Sequence, residues 1–90
     1  MTDDASPIEP RELSRLKWSC RRGLLENDLF IERFFQRHEP TLNVRQARGL
    51  SALMTLSEYD LLDLLLARKE PEGDFASPEV VEVLSMLRKR

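Results

Sequence analysis

A chain of 90 residues, 41% hydrophobic and 33% charged, fits one small globular domain and is too apolar to be disordered throughout. Its 14 basic and 16 acidic side chains leave a net charge of −2, which argues against a general nucleic-acid binder. The single cysteine excludes an internal disulfide and a cysteine-built zinc site, and no apolar run is long enough to cross a membrane.

Taken in order, the chain predicts an all-α fold, a small single-domain bundle of about five helices with no alternating strand pattern of useful length. Residues 1–10 are acidic and hold two prolines, so they read as a flexible N-terminal tail ahead of a helical domain over 11–90. The first helix is expected from Arg11 to Arg22, with Leu13, Leu16 and Cys20 on one face. Gly23 marks its end or a bend. The second helix is expected from Leu24 or Leu25 to His38. Its buried stripe is read as Leu25, Leu29, Phe30 and Phe34, widened by Ile31 and Phe35, and Pro40 stops it.

Asn43-Val44-Arg45-Gln46 has the form of a capping box and opens a third helix to about Met54, with Gly49 weakening its middle. Ser57-Glu58-Tyr59-Asp60 starts a fourth helix to about Arg68. Leu61, Leu62, Leu64, Leu65 and Leu66 surround most of it, which predicts the central and most buried helix. The Pro- and Gly-containing stretch 69–74 is a loop. Ser77-Pro78-Glu79 then starts a fifth helix, with Ser77 as N-cap, an apolar face of Val80, Val83, Leu84 and Leu87, and cations at its end to suit the dipole.

Charge is unevenly spread. Residues 11–48 carry nine basic against five acidic side chains, whereas residues 1–10 and 49–90 are each net acidic. The basic excess surrounds the densest cluster of special residues, Trp18-Ser19-Cys20-Arg21-Arg22-Gly23-Leu24-Leu25-Glu26. A glycine in a helical pattern costs about 1 kcal/mol relative to alanine, so it either ends a helix or admits another backbone. Two readings follow. In one, Arg22 and Glu26 form a local ion pair beside a helix-ending glycine. In the other, Gly23 lets a partner approach, Arg22 and Glu26 make directional contacts, and Trp18 is an anchor if exposed, rather than core.

Catalytic chemistry is poorly represented. One His and one Cys lie eighteen positions apart with no orienting acid marked. Cys20 reads as a small buried hydrophobe, and His38 as a residue at a helix C-terminus. No phosphate-binding Gly-rich loop or metal-ligand spacing occurs, so no catalytic, cofactor-binding or metal residues are assigned.

The stretch Trp18 to Asp28, centred on Arg22-Gly23-Leu24-Leu25-Glu26, resembles the signature of the SdhE (YgfY-like) FAD assembly factor family, known in mitochondria as succinate dehydrogenase assembly factor 2. That family carries an Arg-Gly-x-x-Glu motif, usually preceded by Trp and Cys-Arg. Phe30, Phe34 and Phe35 match its Phe-rich second helix, and Leu56 to Leu62 loosely match a later Leu-x-x-x-Asp-x-x-Leu-Leu pattern. The likeness covers roughly Arg11 to Arg68. It implies a five-helix fold and a non-enzymatic factor that binds the flavoprotein subunit of succinate dehydrogenase, and of fumarate reductase where present, and promotes its covalent flavinylation. Arg22, Gly23 and Glu26 occupy the motif positions; Arg15, Trp18, Arg21 and Asp28 match flanking ones. FAD then belongs to the partner and is not bound stably by this chain. No signal peptide opens the sequence, and the expected location is cytoplasmic. One departure is Leu64, where the family often has Trp: a loss of contact if that position faces the partner, a tolerable change if it is core. The alternatives are an antitoxin-like interaction module and a small helical nucleic-acid binder using the basic excess.

Overall fold

The computed structural model describes residues 6–21 and 23–89. Five α-helices account for most of them: α1 Pro10–Ser19, α2 Leu25–His38, α3 Val44–Leu53, α4 Glu58–Leu65 and α5 Pro78–Arg88. Short 3-10 turns over Glu39–Thr41 and Gly73–Ala76 connect α2 to α3 and lead into α5. The Cα radius of gyration of 12.3 Å is that of one compact domain of this length.

Helix α1 starts with Pro10 in its first turn, where the missing N–H is harmless. It ends at Ser19, earlier than the apolar spacing predicted. The Ser19 hydroxyl and the Cys20 N–H both donate to the Leu16 carbonyl, at 2.8 and 3.0 Å, and the Arg21 N–H donates to Trp18. Those bonds close the helix before Gly23, so glycine is not its terminator. Arg22 itself lies outside the described residues.

The bounds of α2 match the expectation, and its buried face does so at Ile31, Phe34 and Phe35 but not at Leu25 and Leu29. The side chains turned inward are Asn27, Ile31, Phe34 and Phe35. Leu25 and Leu29 stand 68% and 49% exposed. One helix offers two apolar registers about half a turn apart, and the bulkier Ile–Phe–Phe set wins the core. Phe34 meets Phe35 edge-on at 5.4 Å between centroids and lies against His38 at 5.3 Å.

The capping box of α3 forms as read: the Gln46 N–H donates to Asn43 Oδ1 at 2.8 Å, and the Asn43 N–H donates to Gln46 Oε1 at 3.1 Å. Pro7 forms an antiparallel bridge with Asn43, where the Ile8 N–H bonds the Leu42 carbonyl and the Val44 N–H bonds the Ser6 carbonyl. Gly49 is buried where α3 meets α5. A Cβ there would lie against the Glu79 carbonyl oxygen, 2.9 Å from its carbon and 3.1 Å from Val83 Cγ2. The glycine is therefore what lets α3 and α5 touch.

Ser57 caps α4 by accepting from the Asp60 N–H at 3.2 Å. The helix stops at Leu65 because Ala67 adopts a left-handed backbone, φ 58°. The Arg68 N–H returns to the Asp63 carbonyl and the Ala67 N–H to that of Leu64, a Schellman ending. Only Leu61, Leu64 and Leu65 of α4 are fully buried; Leu66 lies past the helix end, 39% exposed. The leucine run is thus less completely buried than expected, although α4 buries three of its eight residues, a share no smaller than that of any other described helix. Four residues of α5, Val80, Val83, Leu84 and Leu87, are buried, and α5 packs on α2, α3 and α4. Ser77 is the N-cap residue of α5, as read, but its side chain makes no cap bond. Arg88 serves another helix: its Nε donates to the Leu64 carbonyl at 2.8 Å, satisfying the end of α4.

Candidate partner-docking site

The loop between α1 and α2 carries the motif and is held from behind by α4. Leu24 is the N-cap of α2 and has no side chain able to cap it. Its N–H instead donates to the carboxylate of Glu58, the first residue of α4. An anion there lies at the positive ends of both helices. One turn on, Asn27 is completely buried, and its Nδ2 donates to the Glu58 main-chain carbonyl at 2.8 Å. Asn27 Oδ1 is buried with no hydrogen-bond partner among the described residues. Two contacts to one residue therefore fix the start of α2, and with it the loop, on the body of the domain.

Toward solvent the motif is open. Trp18 is 71% exposed on the last turn of α1, so it is not a core residue. The Arg21 guanidinium stacks over its ring at 5.0 Å from the centroid. Gly23 and Glu26 are exposed. A Cβ at Gly23 would meet only Glu58 Oε2, at an ordinary 3.7 Å, among the described residues. Arg15, one turn before Trp18, is exposed beside Glu12 at 3.9 Å. Asp28 is half-buried and lines, with Trp18 and Arg21, an open groove of about 960 Å³ between α1 and α2, floored by Cys20, Ile31 and Phe35.

The structure thus brings Trp18, Arg21 and Asp28 to one groove, and sets Gly23 and Glu26 at the adjoining loop and helix start. Arg15 does not line the groove, and Arg22 lies outside the described residues. Cys20 is buried, as read. Of the basic excess over 11–48, Lys17 pairs with Glu39 at 2.7 Å and Arg45 with Glu82 at 3.1 Å. No cluster of metal-binding side chains occurs among the described residues, and no described helix is long and apolar enough to cross a membrane.

Two residues that build the site escaped the sequence reading. Asn27 had a signal, since it continues the Ile31–Phe34 spacing backwards as a polar residue on a buried face. Glu58 had none; as a first-turn acid it explains itself locally, and its bond to Leu24 joins positions 34 apart.

A protein family described as flavinator of succinate dehydrogenase matches residues 14–89. The chain belongs to that family. Among flavinator relatives, the FAD assembly factor SdhE of Ralstonia nicotianae is 52% identical over 80 residues, covering 89% of this chain and 84% of its own. The factor of the same name from Legionella pneumophila is 35% identical over 81 residues, covering 90% and 96% of the two chains. That of Pseudomonas putida is 31% identical over 83 residues, covering 92% and 94%. No solved structure matches significantly. The flavinator match takes in the whole Trp18–Asp28 run and Glu58. Leu64 is buried in the core and offers no surface to a partner.

Proposed function

We propose that this chain is an assembly factor that docks on the flavoprotein subunit of succinate dehydrogenase, and of fumarate reductase where present, and promotes covalent attachment of FAD. The observation that carries this reading is the motif loop. It offers a bare glycine to solvent between an exposed Trp18–Arg21 stack and an exposed Glu26, while its rear is tied to Glu58. Within the described part of the molecule nothing crowds Gly23, so a partner's main chain has room to approach there. Trp18 supplies a large, stiff contact surface, and Arg21, Arg22 and Glu26 supply directional charge.

In this reading the factor contributes binding energy and no reacting group. It holds the flavoprotein in the conformation in which a histidine of that subunit is flavinylated by the subunit's own chemistry. The factor is accordingly no enzyme, it works in the cytoplasm, and FAD remains the partner's. Titration of free FAD with this chain is expected to show no submicromolar affinity.

The test is to express the host's flavoprotein subunit with and without this chain and to score covalent flavin by in-gel fluorescence. The reading expects flavin fluorescence to drop severalfold without the chain and to return on co-expression. Equal fluorescence in both cases would remove it.

A further inference from the structure

The interface reaches beyond the motif residues, onto the outward face of α2. We infer that Leu25 and Leu29 form an apolar contact there that seats in a nonpolar patch of the flavoprotein rimmed by lysine or arginine. This inference rests on the docking reading above and names a further part of that surface.

Leu25 and Leu29 are one turn apart, so their side chains lie within about 40° of each other around the helix. They face away from the core built by Ile31, Phe34 and Phe35. Both are among the most exposed large apolar side chains of the domain. An isolated exposed leucine needs no explanation, but a pair stacked beside a docking loop does. Leu25 directly precedes Glu26 and directly follows the tethered Leu24, so the pair is continuous with the motif.

Charge states what covers it. Glu26 flanks the leucines on one side of the helix and Glu32 on the other. Both are exposed, and neither has an ion pair among the described residues. Asp28 adds a third acid within the same two turns. The nearest cation on the helix, Arg33, is set over the Phe30 ring at 5.9 Å. An apolar pair flanked by Glu26 and Glu32 complements a nonpolar patch with a basic rim and repels an acidic one. A second copy of α2 would place the same acids against each other, which disfavours self-association through this face.

The experiment measures affinity of the full chain for the purified flavoprotein subunit by interferometry, with melting temperature recorded in parallel. In the double variant Leu25→Gln, Leu29→Gln, glutamine keeps the helix propensity while removing the apolar contact. The expected result is a Kd raised at least tenfold with an unchanged melting temperature. Glu32→Lys is expected to raise Kd severalfold and to flatten its dependence on salt. If the wild type binds and the double variant binds within twofold of it, the inference fails and the docking reading stands. If the wild type does not bind the flavoprotein, the docking reading fails and takes the inference with it. A dimer in sedimentation that the double variant dissolves, with flavoprotein affinity unchanged, would assign the leucines to a second copy and overturn the proposal.

Discussion

Asn27 occupies a place where the rhythm of α2 asks for an apolar side chain, and its amide does there what a leucine cannot. It binds the main-chain carbonyl of Glu58, whose own carboxylate holds the Leu24 N–H. The cost is a buried Oδ1 without a partner among the described residues. A net hydrogen bond contributes about 1 kcal/mol, and truncating a completely buried side chain adds the cost of the cavity it leaves. Asn27→Ala is therefore expected to destabilise the domain by about 2 kcal/mol, read as a shift in urea midpoint. Because the tie sits directly behind the loop, the same variant should also weaken flavoprotein binding. A midpoint unchanged from wild type would show that Asn27 does not anchor the loop. At this scale two local relations were legible in the sequence. The Asn43–Gln46 box and the Ser57 cap form as their spacing says. The Asn27–Glu58 tie was not, since no local rule links two residues 31 positions apart.

At the scale of elements, two backbone positions decide how the helices meet and stop. Gly49 read in sequence as a weak point in α3; in the structure it is the contact that brings α5 close. Gly49→Ala adds a methyl group against the Glu79 carbonyl and Val83. Overpacking of a tight crossing costs about 1–3 kcal/mol, more than alanine returns in helix propensity. A drop of about 5–15 °C in melting temperature is expected, and an unchanged value would show that the crossing relaxes freely. Ala67 is the opposite case, an L-residue where a Schellman ending favours glycine. Ala67→Gly should raise stability by about 0.5–1 kcal/mol, because the left-handed conformation carries no Cβ penalty in glycine. A loss of stability in thermal unfolding would contradict this. Ala67 also explains why α4 ends earlier than its leucines suggest. The leucine run over 61–66 carries no stop signal, so α4 was read on to Arg68, and the Arg88 bond that closes its end comes from another helix. In α2 the leucines outnumbered the clues to which face was buried. Counting apolar residues could not rank Leu25 and Leu29 below the Phe34–Phe35 face; packing against α4 and α5 does.

At the scale of the molecule, the bundle divides its labour between a packed side and a presenting side. Helices α4 and α5 bury most of their apolar residues, α3 buries Gly49, Leu50 and Leu53, and α4 doubles as the support for the start of α2. Helix α1 and the outward half of α2 then hold the motif loop, the Trp18–Arg21 stack and the Leu25–Leu29 pair at the surface. All-helical class, helix number and most helix starts were readable from capping residues and apolar spacing. The motif was readable as a cluster of residues that a mere solvated face does not require. Its exposure, its tether to Glu58 and the outward leucines depended on tertiary packing and were not. The most direct test of the docking account uses purified components: apo-flavoprotein subunit, FAD, and this chain as wild type or Glu26→Ala. Glu26 is exposed and without an ion pair among the described residues, so its removal should leave the melting temperature within about 2 °C of wild type. The account predicts that wild type accelerates the appearance of covalent flavin and that Glu26→Ala loses at least tenfold of that acceleration. Equal acceleration by the two proteins would contradict it.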